Sequence, residues 1–183
     1  MPATTAQARG PGDAFAAGCR SLGPRLMRDL GLTDLQAAGL LGNLGHESGG
    51  FRQLQEVAPV VAGSRGGWGL AQWTGPRRVA MEAWCRARAL DPAAPEAQYR
   101  YLCTELRTTE AAALAALRQA PTLETATETV CRFFERPGVV ALASRLDWAR
   151  RALAALRDGA PAPQAPESRA GRVRRAHDIG DRS

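Results

Sequence analysis

From Asp13 to Arg157 the apolar positions recur mostly three and four residues apart, the spacing of one helix face. The pattern predicts a helix over 13–30, broken near Gly23-Pro24 because proline resists a helix interior. A second helix opens at "TDLQ", where Thr33 can cap the N–H of Gln36 and the Gln36 side chain can reach back. Its apolar face carries Leu40, Leu41 and Leu44. Gly39, Gly42 and Gly45 stand within it, each costing about 1 kcal/mol against alanine. Such a cluster implies either a second backbone packed very close or a locally loose helix. The helical signal fades over 49–67, and "GWGLAQWTG" alternates as a short strand or hairpin does. Pro76 then opens a helix reaching about Ala89. Four more helices are predicted over 95–106, 109–119, 122–136 and 141–157. The fold class is mainly α (α+β), a helical domain with a small β-hairpin.

Composition refines this picture at the ends. Residues 1–12 form a polar lead with proline and glycine, expected to be flexible. Residues 158–183 are rich in Ala, Pro and Arg, lack an apolar face and are expected to be disordered. The folded unit is expected over 13–157. All 24 basic residues are arginine, and the net charge of +6 favours anionic partners such as nucleic acid, acidic wall polymers or lipid headgroups. Cys19, Cys85, Cys103 and Cys131 are scattered without metal spacing and read as buried free thiols. His46 and His177 form no ligand cluster, so neither metal nor cofactor is expected. The N-terminus has no apolar secretory core, and no stretch approaches the ~18 apolar residues of a membrane span. The chain is therefore expected to be made in a cytoplasm and to need release if it acts outside.

Two stretches carry candidate chemistry. In "GHESGGF" (45–51), Glu47 lies one turn after Asn43 and Leu44, on the apolar face of the second helix. The negative end of the helix dipole and burial both disfavour a charged carboxylate there. Both point to a general acid; the alternative is a frayed, solvated helix end. Ser48 and the glycines after it leave room for a ligand. In "GWGLAQWTG", an extended chain puts Trp68, Leu70 and Gln72 on one face and Trp73 on the other. An amide between indoles suits a sugar, since Gln72 donates and accepts hydrogen bonds and an indole stacks on a pyranose. The alternative is two core tryptophans and a turn glutamine.

Together these stretches resemble the phage tail lysozyme family of the lysozyme-like superfamily, akin to lytic transglycosylases and goose-type lysozymes. The resemblance lies in "GLTDLQAAGLLGNLGHES" (31–48), "GGWGLAQWTGPRR" (66–78), "AQYRYLCTEL" (97–106) and "FFERP" (133–137), and covers about residues 13–155. It implies a lysozyme-like fold whose hairpin lines a glycan cleft. It further implies an enzyme cutting peptidoglycan between N-acetylmuramic acid and N-acetylglucosamine. Glu47 matches the family's catalytic acid, Gln72 its cleft amide and Trp73 the aromatic beside it. Ser48 and Trp68 are expected to border the substrate. Glu135 of "FFERP" corresponds either to a structural pairing with an arginine or to a place in the cleft.

A two-carboxylate glycosidase needs a second acid about 5–9.5 Å from the first. Between Glu47 and the end of "GLAQW" the only acid is Glu56, which either stands on the opposite wall or is a solvated loop residue. Without a second acid, the substrate's own 6-hydroxyl could close an anhydro ring, or Gln72 and backbone could position a water. A glycan-binding module without catalysis would not depend on Glu47. A nucleic-acid binder would use "RAGRVRRAH" on phosphates, but the folded part shows no reading helix. The same arginines suit an anionic wall or outer membrane. The expected partners are the glycan strand and, for delivery, a holin or a virion.

Overall fold

The computed structural model describes residues 11–52, 54–56 and 64–158; the expected lead and tail fall almost wholly outside this range. Seven α-helices are found among the described residues: α1 (Pro11–Leu30), α2 (Asp34–Glu47), α3 (Gly75–Arg86), α4 (Pro95–Arg107), α5 (Ala111–Arg118), α6 (Leu123–Thr129) and α7 (Leu142–Asp158). A π-helical turn, Val130–Glu135, continues directly from α6. The molecule is mainly helical, as its spacing predicts.

Helix α2 runs through the middle and packs against α1, α6 and α7. Its start is the predicted capping box, with Thr33 Oγ1 accepting from Gln36 N–H and Gln36 Oε1 accepting from Thr33 N–H. Every residue from Gln36 to Gly45 is buried. The glycines permit this. A Cβ on Gly39 would stand 2.9 Å from the α6 backbone at Thr127, and one on Gly42 would stand 2.6 Å from the α7 backbone at Ala149. Close helix approach, not local looseness, explains them. On α7 the matching face is Arg145, Ala149, Ala152 and Ala155.

Helix α1 does not break at Pro24. The proline ring is exposed, and so is Arg20, whose carbonyl loses its helical partner to the missing N–H. Water can satisfy that carbonyl. On the buried side, Gly23 receives Leu156 of α7, and packing carries the helix through.

The expected hairpin is not formed among the described residues. Only two isolated antiparallel bridges occur, Gln55 with Trp68 and Trp68 with Trp73. Trp68 and Trp73 exchange backbone hydrogen bonds of 3.0 and 2.9 Å across a four-residue turn. Gly69 (φ 74) and Gln72 (φ 43) hold that turn in the left-handed region. Residues 69–72 are therefore not extended, and the two-face assignment of Trp68, Leu70 and Gln72 does not apply. The predicted helix over 122–136 likewise divides. The π-turn admits an extra residue and so rotates the residues after it by about 100° around the axis. Phe134 turns fully inward, and Arg136 (φ 48) ends the segment.

Candidate active site

Glu47 is the last residue of α2, and its side chain is about a quarter exposed at 24%. Arg145 of α7 meets it from within, with Nη2 donating to Glu47 Oε1 at 2.6 Å. Arg145 is itself buried, at 1% exposure. It also donates to Asn43 Oδ1 (3.0 Å) and to the carbonyl of Val140 (3.0 Å). Asn43 is fixed in turn by donating to the carbonyls of Gly39 and Thr127. The result is a rigid cation at the end of α2, supported from three elements, with one anion reaching solvent above it. Beside it, His46 Nδ1 lies 3.0 Å from Ser144 Oγ. Burial, then Arg145, hold the His46 imidazole below its ordinary range, with Glu47 pulling the other way.

Glu135 shares this electrostatic environment. Its Oε1 is sealed from solvent and has no hydrogen-bond partner among the described residues. Burial pushes its carboxyl up to about 8, the Glu47 charge adds to this, and Arg77 and Arg145 oppose it. The arginine pairing that the resemblance offered for Glu135 goes elsewhere. Arg77 of α3 binds Glu105 of α4 through Nε (2.8 Å) and Nη2 (3.0 Å), and donates to the carbonyl of Phe134.

The remaining candidates lie in the loop and turn. Trp73 is wholly buried, and its indole N–H donates to Glu105 Oε2 at 2.8 Å. Its ring packs edge-on against Tyr101, so it offers no face to a sugar. Ser48 is also buried; its hydroxyl donates to the Leu44 carbonyl and accepts from Phe51 N–H, closing the turn after α2. Glu56 turns its carboxylate to the loop's own backbone, accepting from Gly67 N–H at 2.7 Å. That bond is a structural use of the group, not a stance on the opposite wall. Gln72 is half-buried and donates to the Gly69 carbonyl within its own turn. Trp68 is half-buried under the Arg78 guanidinium, with its Nε1 sealed and unpartnered among the described residues.

A cavity of about 310 Å³ lies beside these elements. Ser48, Phe51, Gly69, Leu70 and Gln98 border it. It joins the turn after Glu47 to the turn that carries Gln72. Glu47 is not among its lining residues; the acid stands next to this space, one residue from Ser48.

Arg145, Asn43, Arg77 and Glu105 are not singled out by the sequence motifs. Arg145 had a signal: it lies four and seven residues before Ala149 and Ala152, on the small-residue face that α7 buries. An arginine on such a face requires a buried acceptor.

A helical domain with a partly exposed helix-end glutamate over a buried arginine, beside a cavity, has the architecture of a lysozyme-like protein. Residues 24–156 match the family model for phage tail lysozyme, and the chain belongs to that family. Membership points to a peptidoglycan-acting protein of the glycosidase type. The curated proteins give no match to it.

Proposed function

We propose that this protein is a muramidase that cleaves the peptidoglycan glycan strand between N-acetylmuramic acid and N-acetylglucosamine, with Glu47 as the proton donor. The observation that carries the reading is the Arg145–Glu47 pair at the exit of α2. General acid catalysis needs a carboxyl that reaches the leaving oxygen and a stabiliser for the carboxylate that remains. Glu47 is open to solvent on one side, and Arg145, fixed by Asn43 and Val140, holds the developing anion on the other. Family membership supplies the substrate class. Glu47→Gln removes the proton donor while keeping an acceptor for Arg145. Purified peptidoglycan should lose turbidity with the parent protein and stay turbid with Glu47→Gln; clearing at the parent rate by the variant would remove Glu47 from the chemistry.

A second reading, lytic transglycosylase chemistry, is favoured by one observation. Glu56, the only acid between Glu47 and Gln72, is bound to Gly67 N–H. With that carboxylate engaged, the sugar's own 6-hydroxyl can act as the nucleophile. Glu47 then gives its proton to the leaving oxygen and takes one back from that hydroxyl. Products one water lighter than the hydrolytic ones would identify this route by mass spectrometry. For either chemistry we place the action at the cell wall, reached through a holin or carried by a virion. The net positive charge assists encounter with that anionic polymer.

A further inference from the structure

Glu135 is the titratable group that neither route uses. It closes the π-turn, and Arg136 carries the chain away in the left-handed region. Charged groups act on it from four elements: Glu47 from α2, Arg77 from α3, Glu105 from α4 and Arg145 from α7. Toward α5, Glu110 is already paired with Arg136. Both cations near Glu135 are committed, Arg77 to Glu105 and the Phe134 carbonyl, Arg145 to Glu47, Asn43 and the Val140 carbonyl. A charged Glu135 would be a third anion shared between two engaged guanidiniums, with Oε1 facing no donor. Such burial of an unpaired charge is far costlier than holding a proton.

We propose that Glu135 is a positioning residue for the Arg145–Glu47 pair, and that it does this as an uncharged carboxylic acid. The inference rests on Glu47 being the proton donor. While Glu135 is neutral, Arg145 is left wholly to Glu47 and Asn43. Once Glu135 loses its proton to solvent, it competes for Arg145 and sets a second negative charge behind Glu47. The stabiliser of the departing proton's carboxylate is then divided, and turnover falls. The alkaline limb of the rate profile belongs to Glu135, in keeping with a carboxyl pushed up to about 8.

The test is kcat and KM on purified peptidoglycan from about pH 5 to about pH 9.5 for the full chain, Glu135→Gln and Glu47→Gln. Glu135→Gln is expected to lose roughly threefold to tenfold in kcat near pH 6 with KM unchanged, because the amide only approximates the acid. It should then hold that rate to about pH 9, where the parent has fallen about tenfold. Glu135→Asp should bring an alkaline limb back. A Glu135→Gln profile with the parent's limb would make the residue merely structural and overturn the proposal. A folded Glu135→Gln without activity at any pH would require an ionised carboxylate and would overturn it as well. An active Glu47→Gln would instead remove the proton-donor reading on which the inference rests. If Glu135→Gln does not fold, the Glu135 carboxyl carbon can be titrated by NMR in the parent. A midpoint coinciding with the alkaline limb supports the proposal, and a midpoint in the usual carboxylate range overturns it.

Discussion

Arg145 decides what Glu47 can be. A buried guanidinium must spend its donors, and Arg145 spends them on Glu47, Asn43 and the Val140 carbonyl. Removing one partner of a buried charge pair costs about 3–5 kcal/mol; exposure of Glu47 on one side lowers that figure here. Arg145→Met is therefore expected to lower Tm by several degrees and to cut kcat at least about tenfold, the loss of one strong stabilising donor. Thermal melts alongside turbidity assays check both. Glu135 adds a pH dependence to stability. Its carboxyl sits at about 8 in the fold against an ordinary 4.5, so between these values the folded state holds a proton that the unfolded chain has released. The stability from Glu135 is complete below pH 4.5 and is lost as pH rises through about 8. Glu135→Gln should thus melt higher than the parent near pH 9, by roughly 2–4 °C for each kcal/mol recovered, and lose that advantage near pH 4.5. Equal melting shifts at both pH values would contradict this sign.

At the scale of elements, the close approach of α2 to α7 positions the pair. Gly42 lets the Ala149 backbone come near enough for Arg145, one turn before it, to reach the end of α2. Gly42→Val would drive a branched side chain into that backbone. Overpacking of this kind costs about 1–3 kcal/mol or more, so a Tm drop of several degrees should accompany lost activity although Gly42 touches no candidate group. The helices were legible from spacing, the α2 start from its capping box and the close packing of α2 from its glycines. The hairpin was not. Alternation in "GWGLAQW" resembles a strand until Gly69 and Gln72 take positive φ, a choice fixed by the tight exchange between Trp68 and Trp73. The π-turn was equally hidden, since one extra residue in a helical run leaves the apolar pattern intact. For the site, Glu47 was legible because its position on α2 is local. Arg145 and Glu105 were not, because their partners lie 98 and 32 residues away in the chain.

The whole molecule places a basic surface around a helical core. Among the described residues no helix is long and apolar enough to cross a membrane. The four cysteines are buried and free. With a net charge of +6, wall binding should weaken as salt shortens the reach of that charge, from about 10 Å at 0.1 M to about 3 Å at 1 M. Pelleting with purified walls across a salt series should show bound protein falling steadily. A chain ending at Asp158, without Arg169, Arg172, Arg174, Arg175 and Arg182, should show a shallower fall; an identical salt response would take the tail out of wall binding. The central claim is narrower than any of these properties: Glu47 breaks the glycosidic bond. Its most direct measurement is the count of new glycan ends, reducing or anhydro, released from purified peptidoglycan and read by mass spectrometry. The parent should release muropeptides of one type steadily, and Glu47→Gln, folded by the same melt, should release none above background. Ends released by Glu47→Gln at a rate comparable to the parent would contradict the account.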